Sequence, residues 1–228
     1  GEFILSAIKS EIRYHGILVK IPITALDQII SENRNIKLVN AQEVMFYRPS
    51  SQMFIIDSDI SDEVDSPINS VVANDSESEI NENPVIAVLD GMPVENHSLI
   101  QSHLIIDDPD NFSENYLSVH RRHGTAMASL IINGDLNNSI PNKKLNRKIY
   151  FRPILKPSQN GDENIPEDLL PVDLIHRCVI RILGNNINED GVYPNIKVIN
   201  LSIAEKYRPF VSYISPLARM IDWLSYKY

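Results

Sequence analysis

Pro84-Val85-Ile86-Ala87-Val88-Leu89-Asp90-Gly91 is the stretch on which the fold turns. Five apolar residues run from Val85 to Leu89 without polar alternation, between a proline and an acid–glycine pair. A strand buried on both faces of a parallel sheet has this pattern, because neither face meets water. Downstream, His123 to Ile132 reads as a helix with Gly134 just past its end, and Ile149 to Leu155 as a second strand. Pro166 to Leu183 reads as a helix with Val172, Ile175, Val179 and Ile182 on one face. Lys197 to Ile203 then predicts a strand and Pro216 to Tyr226 a helix. Strands alternating with helices place the chain in the α/β class, a parallel sheet with helices on both faces.

Upstream the composition changes twice. Gly16 to Pro22 reads as a short strand closed by proline. Thr24, with Asp27 three residues on, predicts a capped helix that buries Leu26, Ile29 and Ile30. Lys37 to Tyr47 reads as a second β segment, so residues 1–56 are expected to form a small α+β domain. Between residues 57 and 82 lie nine acidic residues and no Lys or Arg, equal to the whole net charge of −9. Interleaved with serine and asparagine, they predict a solvated linker over 57–83, which leaves 84–228 as the second folded unit.

The bulk numbers exclude several functions. With 228 residues, 43% of them hydrophobic, the chain can bury a core and is not wholly disordered. It lacks the roughly 18 consecutive apolar residues of a membrane span. Its acidic balance opposes nucleic-acid binding, and the basic stretch Lys143, Lys144, Arg147, Lys148, Arg152, Lys156 reads as a solvated loop entering a strand. Cys178, the single cysteine, cannot form an internal disulfide and fits a reducing, cytoplasmic location. The start at Gly1-Glu2-Phe3, without an initiator methionine, and the end inside a helix are expected of a fragment.

Sites in parallel sheets form at the carboxyl ends of strands, where Asp90 stands. His123 opens a helix, where the positive end of the helix dipole favours a neutral, basic imidazole. Two of only eight glycines, Gly91 and Gly124, directly follow Asp90 and His123, which predicts crowded backbone at a shared site. His120 and His123 have an H-x-x-H spacing, with His97 and His103 nearby. Arg121 and Arg122 beside them disfavour a cation, so no metal is expected. Cys178 and Trp223 read as packing residues.

Three blocks, Val85–Gly91, Arg122-His123-Gly124-Thr125-Ala126-Met127-Ala128 and Val198-Ile199-Asn200-Leu201-Ser202, together resemble the subtilisin-like serine peptidases in order and spacing. The resemblance covers residues 84–228, about the first half of a catalytic domain. It implies a serine endopeptidase in which Asp90 orients His123 and His123 is the general base. It also implies that Ser202, Ile203 and Ala204 pair with an extended polypeptide substrate. The family's Asp-His-Ser order would place the nucleophile in a C-terminal remainder, since no Gly-Thr-Ser block occurs in these 228 residues. Two further departures are Gly91 directly after Asp90, where the family usually has Ser or Thr, and Ala204 where it commonly has Gly. Residues 1–56 resemble the family's small α+β propeptides, which implies an intramolecular inhibitor or chaperone, or else a docking domain. No cofactor is implied. Some bacterial members accompany AAA ATPases, which puts such an ATPase among the implied partners. A binding module that keeps the fold without the chemistry is the alternative.

Overall fold

The computed structural model describes residues 1–31, 37, 40–50, 53–54, 79–136, 143–158, 161–185, 189–205 and 213–228. In chain order the strands are β1 (Glu2–Lys9), β2 (Tyr14–Lys20), β3 (Met53–Phe54), β4 (Ile86–Asp90), β5 (Leu104–Ile106), β6 (Ile149–Pro153), β7 (Lys156–Pro157), β8 (Glu163–Asn164), β9 (Gly184–Asn185), β10 (Glu189–Asp190), β11 (Val198–Leu201) and β12 (Ala204–Glu205). The helices are α1 (Ile23–Ile30), α2 (Arg122–Asn133), α3 (Pro171–Leu183) and α4 (Pro216–Lys227). Among the described residues no helix is long and apolar enough to cross a membrane.

The core is a four-stranded, wholly parallel sheet in the order β11-β4-β6-β5. The run that opened the reading is β4, at its centre, with Ala87, Val88, Leu89 and Asp90 all fully buried. Alternation sends its side chains to two cores. Ala87 and Leu89 pack with Tyr150 against α3 and α4, while Val88 and Phe151 pack with Ala128 and Ile132 of α2. Helices therefore cover both faces. The crossovers β5–α2–β6 and β6–α3–β11 step in the same direction across the sheet, yet their helices lie on opposite faces. Such a pair has opposite hands, so one of the two is left-handed, against a rule obeyed in about 98% of cases. The consequence is local: the face shared by Val88 and Asp90 is the face that meets α2.

Helix ends follow the chain's punctuation. Gly134 and Gly184 close α2 and α3 at φ of 70° and 91°, a region where glycine bears no Cβ penalty. Ser215 caps α4 by accepting from the Ala218 N–H at 3.1 Å. The start of α3 departs from the expected Pro166, since the helix begins at Pro171. Proline suits a first helical position and breaks an interior one, so the second proline sets the boundary. The shift leaves residues 166–170 as the connection from β8 to the helix.

The N-terminal unit differs more. Instead of strand–helix–strand it begins with an antiparallel hairpin, β1 on β2, turning over Ser10–Arg13. Of the β segment expected over Lys37 to Tyr47, residues 38–39 lie outside the described residues and 40–49 are turn and irregular chain rather than strand. Thr24 is not a cap: α1 follows Pro22 with no side-chain cap bond and buries none of its residues. Most of the acidic stretch over 57–83 lies outside the described residues, but its end is structured, since Asn81 bridges Arg147 and Glu82 pairs with Lys148 at 2.8 Å.

The hairpin docks on α3 and α4. Ile12 is buried in the α3–α4 core, and its carbonyl accepts from Arg219 Nη1 at 2.9 Å. Lys9 Nζ reaches Asp173 at 2.7 Å and donates to His176 Nδ1 at 3.1 Å. Trp223 stacks on the other side of His176. Burial first, and then the Lys9 ammonium, hold the His176 pKa below its ordinary 6.5, against the opposing pull of Asp173 and Glu11, with Lys227 of α4 adding to the depression. A depressed histidine contributes stability that is complete above its unperturbed pKa and is lost as the pH falls through it. Protonation also removes the acceptor that Lys9 uses and sets two cations against each other. Protection factors of the β1–β2 amides, which take out the base-catalysed intrinsic rate, should therefore fall on acidification from about pH 7.5 to about 5.5, and His176→Gln should flatten that dependence.

Candidate active site

Asp90 ends β4, and its main chain is locked in the sheet, with the carbonyl accepting from the Ile154 N–H at 2.8 Å. Its side chain is wholly buried. Such a carboxylate must be hydrogen-bonded to be tolerated. Oδ1 accepts from the Gly91 N–H at 2.6 Å and from His123 Nδ1 at 2.8 Å. Oδ2 is buried and meets no donor among the described residues. The orientation of the carboxylate therefore rests on the two bonds to Oδ1.

His123 is the second residue of α2 and keeps part of its ring exposed, at 24% of the side chain. With Nδ1–H donating to Asp90, the neutral tautomer carries its lone pair on Nε2. Side chains of Thr125 and Arg121 tie the start of α2 to the loop after Asp90. Thr125 Oγ1 accepts from the Val94 N–H at 2.8 Å and donates to the Arg121 carbonyl at 2.5 Å. Arg121 Nη1 donates to the Pro93 carbonyl at 3.1 Å. The backbones also touch, because a Cβ on Gly124 would collide with the Gly91 carbonyl oxygen. The crowding expected of the two glycines is this contact, and it lets helix and strand end approach closely enough for the Asp90–His123 bond.

No family model, curated protein or solved structure matches the chain.

The strip Ser202-Ile203-Ala204 borders a second, antiparallel sheet in the order β12-β3-β8-β7. Ala204 lies in β12 and pairs with Phe54; Glu205 pairs with Met53. On its other edge β3 meets β8, Phe54 opposite Asn164. A segment from the N-terminal unit thus occupies the position between two edge strands. Ser202 and Ile203 are not in a strand: Ser202 Oγ accepts from Asn200 Nδ2 at 2.9 Å, and Ile203 packs on the α3–α4 core.

The remaining candidates are structural. His103 is buried, with its ring bonded to the Leu145 carbonyl and the Ser102 hydroxyl at 2.9 Å each. His97 accepts from the Leu99 N–H at 3.3 Å. Among the described residues no group of three His, Cys, Asp or Glu side chains is placed to hold a metal ion. Cys178 is buried, and burial pushes its thiol up to about 11, which makes it unreactive. Reasoning from residues missed Glu163 and Tyr116. Both are buried beside Gly91 and Leu155, with Tyr116 Oη donating to Glu163 Oε1 at 2.6 Å. Glu163 sits in a polar stretch of ordinary composition and carries no motif that could have marked it.

Proposed function

We propose that residues 84–228 form the N-terminal half of a subtilisin-like serine endopeptidase domain, with its nucleophilic serine supplied from beyond these residues. The observation that carries the reading is the 2.8 Å bond between His123 Nδ1 and the buried Asp90 carboxylate at the carboxyl end of a central parallel strand. In this mechanism His123 Nε2 takes the proton from the serine hydroxyl as its oxygen bonds to the peptide carbonyl carbon. The same imidazole then gives that proton to the departing amine. Asp90 holds the tautomer and stabilises the transient imidazolium. Preorganised donors from the missing half hold the oxyanion.

The substrate is an extended polypeptide that adds as a strand between β12 and β8. The pairing of β3 with β12 and β8 supports this, since β3 itself lies between them as an antiparallel strand. It also supports the inhibitor role for residues 1–56, whose hairpin grips α3 and α4 while the following segment fills the gap. Deleting residues 1–56 should therefore raise amide exchange at Ala204 and Asn164 about tenfold or more, above the rise at β4 or β6. Unchanged exchange at those two amides would remove β3 from this role.

The decisive experiment is fluorophosphonate labelling of the chain joined to the C-terminal remainder of its parent. A labelled serine in the joined protein, and none in the 228-residue chain, supports the peptidase. A folded parent that labels nowhere and still binds peptides assigns the fold to a binding module.

A further inference from the structure

We infer that Glu163 is a positioning residue for the Asp90–His123 pair: its carboxyl group takes the place of a side chain at position 91 and holds the Asp90 turn against α2. The inference rests on reading Asp90 and His123 as a functional pair. It begins with Gly91, which a Cβ would drive into Glu163 Oε1, with the carboxyl carbon only 2.6 Å away. Overlap this deep forces something to shift, so a side chain at 91 requires the Glu163 carboxyl group, the far end of a flexible side chain, to give way. The opposite side of Gly91 is equally occupied, because its carbonyl fills the place of a Cβ on Gly124. Gly91 is thus one layer of backbone pressed between the Glu163 carboxyl and the helix that bears His123.

Glu163 is itself held. It is 8% exposed, and Tyr116 donates to its Oε1 at 2.6 Å while lying 3.1 Å from the Leu155 carbonyl. Burial and the adjacent carboxylate push the Tyr116 phenol far above its ordinary range, so it remains a donor. From there the chain of contacts is short. Glu163 sets Gly91, the Gly91 N–H bonds Asp90 Oδ1 at 2.6 Å, and the same oxygen holds His123 Nδ1 at 2.8 Å. Because Asp90 Oδ2 has no donor among the described residues, a displaced Gly91 leaves the carboxylate free to rotate away from the imidazole. A buried acid on a short strand, far in sequence from both partners, acquires a reason through this volume exchange.

The test uses the 228-residue chain and the far-downfield proton resonance of a histidine Nδ1–H bonded to a carboxylate, with folding followed by circular dichroism. Glu163→Ala and Gly91→Ser should each abolish the resonance, the first by emptying the volume and the second by overfilling it. The double variant Gly91→Ser with Glu163→Ala should regain it, and Glu163→Gln, which keeps both shape and acceptor, should retain it. Folded single variants with an unchanged resonance would overturn the inference, as would a folded double variant that lacks it. Loss in Glu163→Gln would overturn it too, by making charge rather than shape the agent. Should the single variants fail to fold, Tyr116→Phe removes only the hydroxyl that anchors Glu163. It is expected to broaden and shift the resonance, and no change there refutes the role. A wild-type chain without the resonance sinks the Asp90–His123 pair itself; a resonance insensitive to residues 91 and 163 sinks only the part given to Glu163.

Discussion

Replacing His123 by alanine in the chain joined to its C-terminal remainder is expected to lower kcat/KM on the order of 10⁴-fold or more, about 5–8 kcal/mol of transition-state stabilisation. A serine hydroxyl is a weak nucleophile near neutral pH, and its activation depends on a base within hydrogen-bond reach. Among the described residues His123 alone of the histidines bonds a carboxylate at a strand end, and the 2.8 Å contact through Nδ1 leaves Nε2 as the proton acceptor. Asp90→Asn should cost a similar factor, because the amide forces the wrong tautomer. Fluorophosphonate labelling should vanish with His123→Ala while the melting temperature stays near that of the parent. Equal labelling with and without His123 would end the assignment of Asp90 and His123 as orienting acid and base.

The largest effect on stability is expected from Asp110→Ala. Arg152 on β6 is 2% exposed, and Asp110 Oδ2 at 2.8 Å is its acceptor, while its Nε and Nη1 are buried with no partner among the described residues. Breaking a buried pair by removing one member leaves an uncompensated charge, which costs about 3–5 kcal/mol. For a chain of this length that corresponds to a melting temperature lower by about 6–20 °C. Arg152→Met, which removes the charge together with its desolvation, should by the same argument cost little or even stabilise. Thermal unfolding of the two variants decides it. A milder loss in Asp110→Ala than in Arg152→Met would mean that Arg152 is held by something other than Asp110. Asp110 also lies 3.4 Å from Arg177, which pairs with Asp173, the partner of Lys9. The Asp110 variant should therefore loosen the docked hairpin as well.

Local pattern was legible where one physical requirement acts alone. The run Val85–Leu89 could only be a buried strand, and the apolar spacing of Val172, Ile175, Val179 and Ile182 could only face a core, where all four are buried. The two glycines after Asp90 and His123 announced a backbone contact. Reading failed where two local options have similar cost. Pro166 and Pro171 both suit a helix start, and the helix begins at the later one. The segment Leu104–Ile106 is too short to mark itself and becomes a strand only because β6 offers an edge. In the N-terminal unit, Phe3–Ile8 lacks a regular polar alternation between the flanking Glu2 and Lys9, and its pairing with β2 makes it a strand.

By itself the amino-acid order determined the α/β class, the central strand and helices α2 and α4, and it singled out Asp90 and His123, since burial is decided within a few residues of sequence. Tertiary structure alone decided the hand of the crossovers, the side of the sheet on which α2 meets Asp90, the docking of the hairpin on α3 and α4, and the seating of β3 between β8 and β12. It also decided Glu163, whose role exists only because a carboxyl group 72 residues from Gly91 fills the space of a missing side chain. Steric exclusion acts between atoms adjacent in space, and no periodicity or motif along the chain encodes which distant residue will be the neighbour.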